Sequence, residues 1–155
     1  MVRIRRELAR GEKRVVFTNG CFDLLHLGHV RYLQQAKELG DVLVIGVNSD
    51  ASTARIKGPP RPIIPQADRG EILSALAAVD YVVIFDEDTA ENLVMALKPD
   101  VYIKGGDYAR GNSKAKAWPE ADVVIKYGGL VVVLPFLPGR STSNIIEKIA
   151  GLAKE

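Results

Sequence analysis

Short apolar segments alternate with amphipathic segments along most of the chain. The apolar segments are rich in β-branched residues and have the length of strands, whereas the amphipathic segments repeat their apolar residues every three or four positions, as helices do. The predicted strands are residues 15–18, 42–47, 81–85, 101–103 and 130–134. The predicted helices are residues 27–39, 66–78, 89–97, 120–126 and 142–153.

The predicted strands are apolar on both faces, which is typical of a parallel sheet covered by helices on each side. Strand–helix–strand connections are right-handed, so the alternation predicts a Rossmann-like, doubly wound α/β fold with about five strands. Such sheets bind ligands beyond the carboxyl ends of their strands. The loops at 19–26, 48–65 and 104–118 follow predicted strands and are therefore the candidate binding loops.

The 155 residues suit one domain with a single core, and we expect residues 1–155 to form it, with residues 1–13 as a basic N-terminal extension. The four arginines of this extension are more typical of a solvated helix face than of a binding arm. They are Arg3, Arg5, Arg6 and Arg10.

The net charge of +2 is too small to indicate nucleic acid or a membrane surface as a partner. Cys21 is the only cysteine, which excludes an internal disulfide and fits a reducing compartment. We find no signal peptide and no apolar run long enough to span a bilayer. The composition therefore predicts a cytoplasmic protein.

Both histidines of the chain, His26 and His29, follow the first predicted strand, with Gly28 between them. They could be hydrogen-bonded polar groups at a helix start, or ligands of a metal site that carboxylates would have to complete. Neither a dinucleotide-binding nor a P-loop pattern occurs. We favour a phosphate site, because a helix N-terminus offers free amide groups and a positive partial charge, and a glycine lets a phosphate approach closely.

The segment GCFDLLHLGH at residues 20–29 resembles the GxFDxxHxGH signature of the HxGH nucleotidyltransferase superfamily. This resemblance implies that His26 and His29 contact the nucleotide phosphates and stabilise charge while the α-phosphorus is attacked. It extends nucleotide binding to Asn19, Gly20, Cys21, Phe22, Asp23 and Gly28. We expect Cys21 itself to be a packing residue and not a nucleophile.

The segment GRSTSNII at residues 139–146 is a second candidate for phosphate binding. Ser141 and Thr142 are typical helix N-caps, but a helix start with hydroxyl groups is equally suited to bind phosphate. The segment resembles the STxxI motif of the same superfamily, which implies that the nucleotide is bound by Arg140, Ser141, Thr142 and Ser143.

The residues Lys104-Gly105-Gly106-Asp107-Tyr108 directly follow a predicted strand. Paired glycines there are compatible with a tight turn or with close approach of the backbone to a ligand. In the superfamily this loop flanks the base and sugar, so the resemblance implies nucleotide binding by Gly105, Asp107 and Tyr108. Lys104 is a candidate catalytic cation.

Several polar residues of the second candidate loop are predicted to serve the acceptor. Asn48 and Asp50 follow the second strand, although this segment could equally cap a helix. Lys57, Arg61 and Arg69 are candidate clamps for the acceptor phosphate or the leaving pyrophosphate, and surface charge is the alternative. The predicted catalytic residues are His26, His29, Lys57 and Lys104. The predicted acceptor-binding residues are Asp23, Asn48, Asp50, Lys57 and Arg69.

Across residues 13–149 the order of motifs resembles that of the bacterial heptose 1-phosphate adenylyltransferases. The resemblance implies transfer of AMP from ATP to a sugar 1-phosphate, with heptose 1-phosphate as the expected acceptor and pyrophosphate as the second product. It also implies Mg²⁺ bound through ATP, with no metal ligands from the protein, and homodimers like those of relatives. Such enzymes are often the C-terminal half of a kinase–adenylyltransferase, and we expect a stand-alone form here.

Two positions bear on the substrate. Glycerol-3-phosphate cytidylyltransferases have an arginine where this chain has Phe136, and a GDDW loop where it has Gly-Gly-Asp-Tyr. Arg140 departs from the heptose enzymes, which carry a small residue there, and it would add a phosphate contact or signal a different acceptor. The alternatives are a cytidylyltransferase for a polyol or amino-alcohol phosphate and a non-catalytic nucleotide-binding sensor.

Overall fold

The computed structural model describes residues 2–106 and 118–152. Five strands form one parallel sheet in the order β3-β2-β1-β4-β5. The strands are β1 (Val15–Gly20), β2 (Val42–Asn48), β3 (Tyr81–Phe85), β4 (Val101–Gly105) and β5 (Leu130–Leu134). The helices of the described residues are α1 (Val2–Arg10), α2 (Leu27–Lys37), α3 (Asp50–Lys57), α4 (Gln66–Ser74), α5 (Glu91–Leu97), α6 (Pro119–Lys126) and α7 (Thr142–Leu152).

The sheet has a buried apolar layer on each face. Because successive side chains of a strand point to opposite faces, Phe17 of β1 and Val44 of β2 pack against α5 and α6 on one face. On the other face, Val16 and Ile45 pack against α2 and α4. This arrangement confirms the predicted Rossmann-like α/β fold with helices on both faces.

Strand β1 lies at the centre of the sheet. The next two strands of the chain, β2 and β3, lie on one side of it, and β4 and β5 lie on the other. Phe17 of β1 is in register with Val44 of β2 on one side and with Tyr102 of β4 on the other. The helix that follows β1 covers one face, and the helix that follows β4 covers the opposite face. Doubly wound sheets bind their ligands at such a switch point, beyond the carboxyl ends of the two strands.

Three strands run further into the candidate loops than predicted. β1 continues through Asn19 to Gly20, β2 to Asn48 and β4 to Gly105. The prediction stopped where the side chains become polar, but the backbone ladder continues, with Asn19 opposite Gly46. These polar residues are therefore held by the sheet itself, which fixes their positions more firmly than a loop would.

The helix boundaries differ from the prediction by a few residues. Helix α2 ends at Lys37, before the predicted position 39, and α4 ends at Ser74, before 78. Helix α5 begins at Glu91, after the predicted position 89. None of the helices in the described parts of the chain is both long and apolar enough to cross a membrane.

Helix α3 was not predicted and occupies the first part of the expected loop at 48–65. Its sequence DASTARIK has too few apolar residues to show a helical repeat. The local signal is the N-cap, where the Ser49 side chain accepts a hydrogen bond from the Ser52 amide at 3.1 Å. This cap confirms the alternative that the segment after β2 starts a helix.

Helix α1 lies within the basic N-terminal extension expected at residues 1–13, and one of its arginines is not part of a solvated face. Arg5 donates to the Leu97 carbonyl oxygen at 3.1 Å and forms an ion pair with Asp100 at 3.3 Å. Asp100 in turn accepts a hydrogen bond from the Val15 amide at 2.7 Å. Arg5 therefore ties α1 to the amino-terminal edge of the sheet, whereas Arg6 is exposed.

We expect the substitution Arg5→Met to lower the free energy of unfolding by about 1 kcal/mol, because it removes hydrogen bonds that fix α1. The matched control is Arg6→Met on the same helix, which should change stability by less than about 0.5 kcal/mol. Urea titration followed by circular dichroism measures both. Equal stability of the two variants would show that α1 contributes nothing through Arg5.

Candidate active site

A cavity of about 920 Å³ opens at the carboxyl end of the sheet, above the switch point between β1 and β4. Its walls come from the end of β1 and the start of α2, from the end of α3, from the end of β4, from the start of α6 and from residues 136–144. All three candidate binding loops therefore contribute to a single cavity.

The two histidines form a stacked pair at the start of α2. His26 is the N-cap residue of this helix, and its ring centroid lies 3.9 Å from that of His29, with 26° between the planes. The ring of Phe22 packs on His29 with 5.4 Å between centroids. The Nδ1 atoms of both histidines are buried and have no hydrogen-bond partner among the described residues. Buried nitrogens of this kind are ordinarily satisfied, so the pair fits a bound hydrogen-bonding ligand.

The surroundings keep both imidazoles neutral at pH 7. Burial, followed by the nearby His26, lowers the pKa of His29 to about 4. Burial, followed by the Arg140 guanidinium, lowers the pKa of His26 from its ordinary value. A bound phosphate would stabilise the protonated form and raise both pKa values. The pair can therefore donate hydrogen bonds to an anion and take up a proton when the anion binds.

Gly28 allows the histidine pair and Arg140 to lie close together. A Cβ atom at this position would lie 2.8 Å from the His26 ring and 3.3 Å from the Arg140 Cβ. Any side chain at Gly28 would therefore displace one of these two residues. The close approach that Gly28 permits in this structure is between side chains of the site.

The start of α7 is attached to the loop that carries the histidines. Thr142 Oγ1 donates to the Leu24 carbonyl oxygen at 3.1 Å, and Ser141 Oγ accepts from the Asn144 amide at 3.1 Å. Ser141 is thus an N-cap, as the sequence indicated. Because residues 140–144 also line the cavity, the N-termini of α2 and α7 face the same space. Two helix N-termini in one cavity favour a polyanionic ligand.

Lys104 lies at the base of the cavity in a hydrogen-bonded chain. Its Nζ donates to the Tyr102 hydroxyl at 3.2 Å, and this hydroxyl donates to Asn19 Oδ1 at 2.8 Å. Burial lowers the pKa of Lys104, while Glu120 and Cys21 act in the opposite direction. The ends of β1 and β4 are therefore joined by side chains as well as by the sheet.

Glu120 is a site residue that the sequence did not reveal. It lines the cavity and is only 3% exposed. Its Oε1 accepts from the Ala90 amide at 2.9 Å and from Asn19 Nδ2 at 3.5 Å. Acidic residues are common in the first turn of a helix because of the helix dipole, so nothing in the sequence marks this one.

Asp23 lines the cavity, but its carboxylate is engaged by protein groups. It accepts from the Ile63 and Ile64 amides at 2.8 and 2.9 Å and forms an ion pair with Arg61 at 2.5 Å. Burial alone would raise the pKa of Asp23, but the two amides and Arg61 together lower it. Asp23 thus holds the segment after α3 against the β1 loop, and the charge of Arg61 is paired with it.

Two predicted acceptor-binding residues, Asp50 and Arg69, are not among the residues that line the cavity. Arg69 is 1% exposed and donates to the carbonyl oxygens of Cys21 and Ile64 and to the Asp50 carboxylate. This set of partners makes Arg69 a buried cross-link between the β1 loop and α4. We therefore revise the prediction and assign Asp50 and Arg69 to positioning the loops.

The remaining predicted residues divide into two groups. Cavity-lining residues include Asn19, Gly20, Cys21, Phe22, Asn48, Lys57, Gly105, Arg140, Ser141, Thr142 and Ser143. Asp107 and Tyr108 lie outside the described residues. Within the described ranges, neither Lys57 nor Arg140 forms an ion pair, so both charges face the cavity without a counterion from these parts of the chain.

The lowered pKa of His29 predicts a pH dependence of stability. Since His29 takes up its proton near pH 6.5 in the unfolded chain but only near pH 4 in the folded one, the unfolded state binds more protons between these values. The free energy of unfolding should fall on acidification through this window, by at most about 1.4 kcal/mol per pH unit from this group. Urea titrations of the wild type and His29→Asn at several pH values should show a shallower slope for the variant. Parallel slopes would contradict the lowered pKa.

Comparison with known proteins agrees with this geometry. The model of the cytidylyltransferase-like family matches residues 17–148. The Bifunctional protein HldE of Geobacter metallireducens is 59% identical over 146 residues, which cover 94% of this chain and 29% of the relative. The protein of the same name from Geobacter sulfurreducens is 57% identical, with the same coverage. The chain thus spans less than a third of the length of these curated relatives.

A solved structure supports the same assignment. The crystal structure of the lipopolysaccharide core biosynthesis protein from Thermoplasma volcanium superposes with a TM-score of 0.61 at 33% sequence identity. The match covers 81% of this chain and 97% of that one. The predicted resemblance to the HxGH nucleotidyltransferases is confirmed, and the chain belongs to the cytidylyltransferase-like family.

Proposed function

We propose that this chain transfers AMP from ATP to a sugar 1-phosphate, with heptose 1-phosphate as the acceptor, and releases pyrophosphate. The observation that carries the proposal is the stacked pair of His26 and His29. Their Nδ1 atoms are buried without a partner among the described residues, and both histidines line a cavity that the start of α7 also faces. The family implies a nucleotide substrate and usually a divalent metal. The sugar acceptor is supported by the motif order and by the relation to a lipopolysaccharide core biosynthesis protein.

The reaction needs little covalent chemistry from the protein. An oxygen of the sugar phosphate attacks the α-phosphorus in line, the new P–O bond forms, and the bond to the β-phosphate oxygen breaks to release pyrophosphate. Because the attacking oxygen is already an anion, no general base is required. The task of the site is to position two polyanions and to neutralise the charge that concentrates at the α-phosphorus.

Each part of the cavity has a role in this task. His26 and His29 donate to the oxygens of the α-phosphate, together with the N-termini of α2 and α7. Lys57, Lys104 and Arg140 hold the acceptor phosphate and the pyrophosphate. Gly20, Gly105 and the hydroxyl groups of residues 141–143 border the nucleotide.

A divalent metal ion can be carried by the phosphate oxygens of a nucleotide. The described residues contain no group of three or more His, Cys, Asp or Glu side chains that could hold an ion. We propose Mg²⁺ bound through the triphosphate oxygens, where it would supply further charge neutralisation. A cytoplasmic location and a homodimeric state remain predictions from the sequence.

We expect His29→Ala to lower kcat by about 100-fold or more, since losing one positioned donor typically costs about 2.7–4 kcal/mol of transition-state stabilisation. Continuous detection of released pyrophosphate measures turnover, and the folded fraction is verified by circular dichroism. Arg6→Met is the control for a substitution far from the cavity and should retain wild-type turnover. Near-normal turnover of His29→Ala would remove the histidine from the catalytic assignment.

The proposed reaction is tested by crossing ATP and CTP with heptose 1-phosphate, other sugar 1-phosphates, glycerol 3-phosphate and phosphocholine. We expect pyrophosphate from ATP with heptose 1-phosphate. Release with CTP and a polyol or amino-alcohol phosphate would instead support a cytidylyltransferase. Tight nucleotide binding without pyrophosphate from any pair would support a non-catalytic sensor.

A further inference from the structure

Glu120 places a carboxylate in the wall of a cavity that binds phosphates. The same cavity is also lined by three cationic side chains, Lys57, Lys104 and Arg140. Glu120 is 3% exposed and forms no ion pair within the described parts of the chain. A buried carboxylate is costly unless hydrogen-bond donors surround it, and it would repel a phosphate.

The hydrogen bonds of Glu120 use only one of its two oxygens. Both the Ala90 amide and Asn19 Nδ2 donate to Oε1, at 2.9 and 3.5 Å. Oε2 receives no hydrogen bond from the described residues, although the side chain lines the cavity. An ionised carboxylate accepts hydrogen bonds and cannot donate them. A ligand that binds at Oε2 must therefore be a neutral or cationic donor.

The cavity is lined from both faces of the sheet. The histidines enter it from the α2 face of the sheet, whereas Glu120 enters from the α6 face. Asn19, whose side-chain amide donates to Glu120, also lines the cavity. The large apolar side chain Phe136 lies on Gly105, and a planar base favours such a surface.

We infer that Glu120, together with Asn19, binds hydroxyl groups of the acceptor sugar and thereby determines which sugar phosphate is used. This inference rests on the proposed function. Sugar hydroxyls are neutral donors that a carboxylate and an amide recognise by hydrogen bonding, and a site built for a hydroxyl strongly disfavours an analogue that lacks it. The cations then hold the phosphate of the same molecule.

Glu120 also has a structural role, which the choice of variant has to preserve. Its Oε1 accepts the Ala90 amide at the start of α5. In Glu120→Gln the amide oxygen can keep this hydrogen bond, while the second position becomes a donor and the charge is lost. The matched control is Asp122→Asn, which makes the same change at an exposed residue of the first turn of α6.

The experiment measures pyrophosphate release by wild type, Glu120→Gln and Asp122→Asn with heptose 1-phosphate and with deoxy analogues that each lack one hydroxyl. We expect Glu120→Gln to raise the KM for heptose 1-phosphate at least 10-fold while the KM for ATP changes less than 2-fold. For the analogue that lacks the recognised hydroxyl, wild type and Glu120→Gln should have similar kcat/KM. If Glu120 contacts this hydroxyl, the two groups are coupled, so the substitution has no further effect on kcat/KM once the hydroxyl is absent.

Several outcomes would overturn the inference. If Glu120→Gln lowers kcat/KM equally for every acceptor, Glu120 has a structural role. If the substitution raises only the KM for ATP, Glu120 serves the nucleotide. The same acceptor effect in Asp122→Asn would attribute it to the charge of the helix start. If the wild type releases no pyrophosphate with any sugar 1-phosphate, the proposed function fails, and this inference fails with it. If the wild type is active but Glu120→Gln and removal of each hydroxyl lower kcat/KM independently, only the role of Glu120 is overturned.

Discussion

The site depends on the switch point of the sheet, which lies between the adjacent strands β1 and β4. The helix after β1 covers one face of the sheet and the helix after β4 covers the other, so the two connections diverge above adjacent strands. The crevice between them receives the histidine pair from one side and Glu120 from the other. Since β1 and β4 are paired by backbone hydrogen bonds, the groups at their ends are held at fixed separation.

The histidine pair shows how this frame prepares a site for anions. Burial lowers the pKa of both rings, Arg140 lowers that of His26 further, and their Nδ1 atoms have no partner in the described structure. Such groups lower the stability of the protein unless a hydrogen-bond partner satisfies them. The ring of Phe22 packs on His29, and the absence of a side chain at Gly28 leaves room for the stacked rings.

The sequence predicted the features that are encoded locally. Strand and helix periodicity predicted the fold, and the histidine and serine–threonine motifs predicted two segments that meet in one cavity. Residues whose partners lie far along the chain were assigned less well. Arg69 contacts Cys21, and Asp23 contacts Arg61 and Ile64. These charged side chains, which the sequence offered as ligand-binding candidates, therefore bind other groups of the protein. Glu120 was missed because an acidic residue at a helix start has an ordinary structural explanation.

Binding of the nucleotide phosphates at His26 and His29 can be followed by NMR of the imidazole groups. The chain has only two histidines, so a ¹H–¹³C spectrum of the ring carbons contains one pair of signals for each. We predict that both pairs shift when a non-hydrolysable ATP analogue is added with Mg²⁺, and that the pKa of His29 rises from about 4. Saturating binding of the analogue with unchanged histidine shifts and pKa values would show that the phosphates bind away from the two histidines.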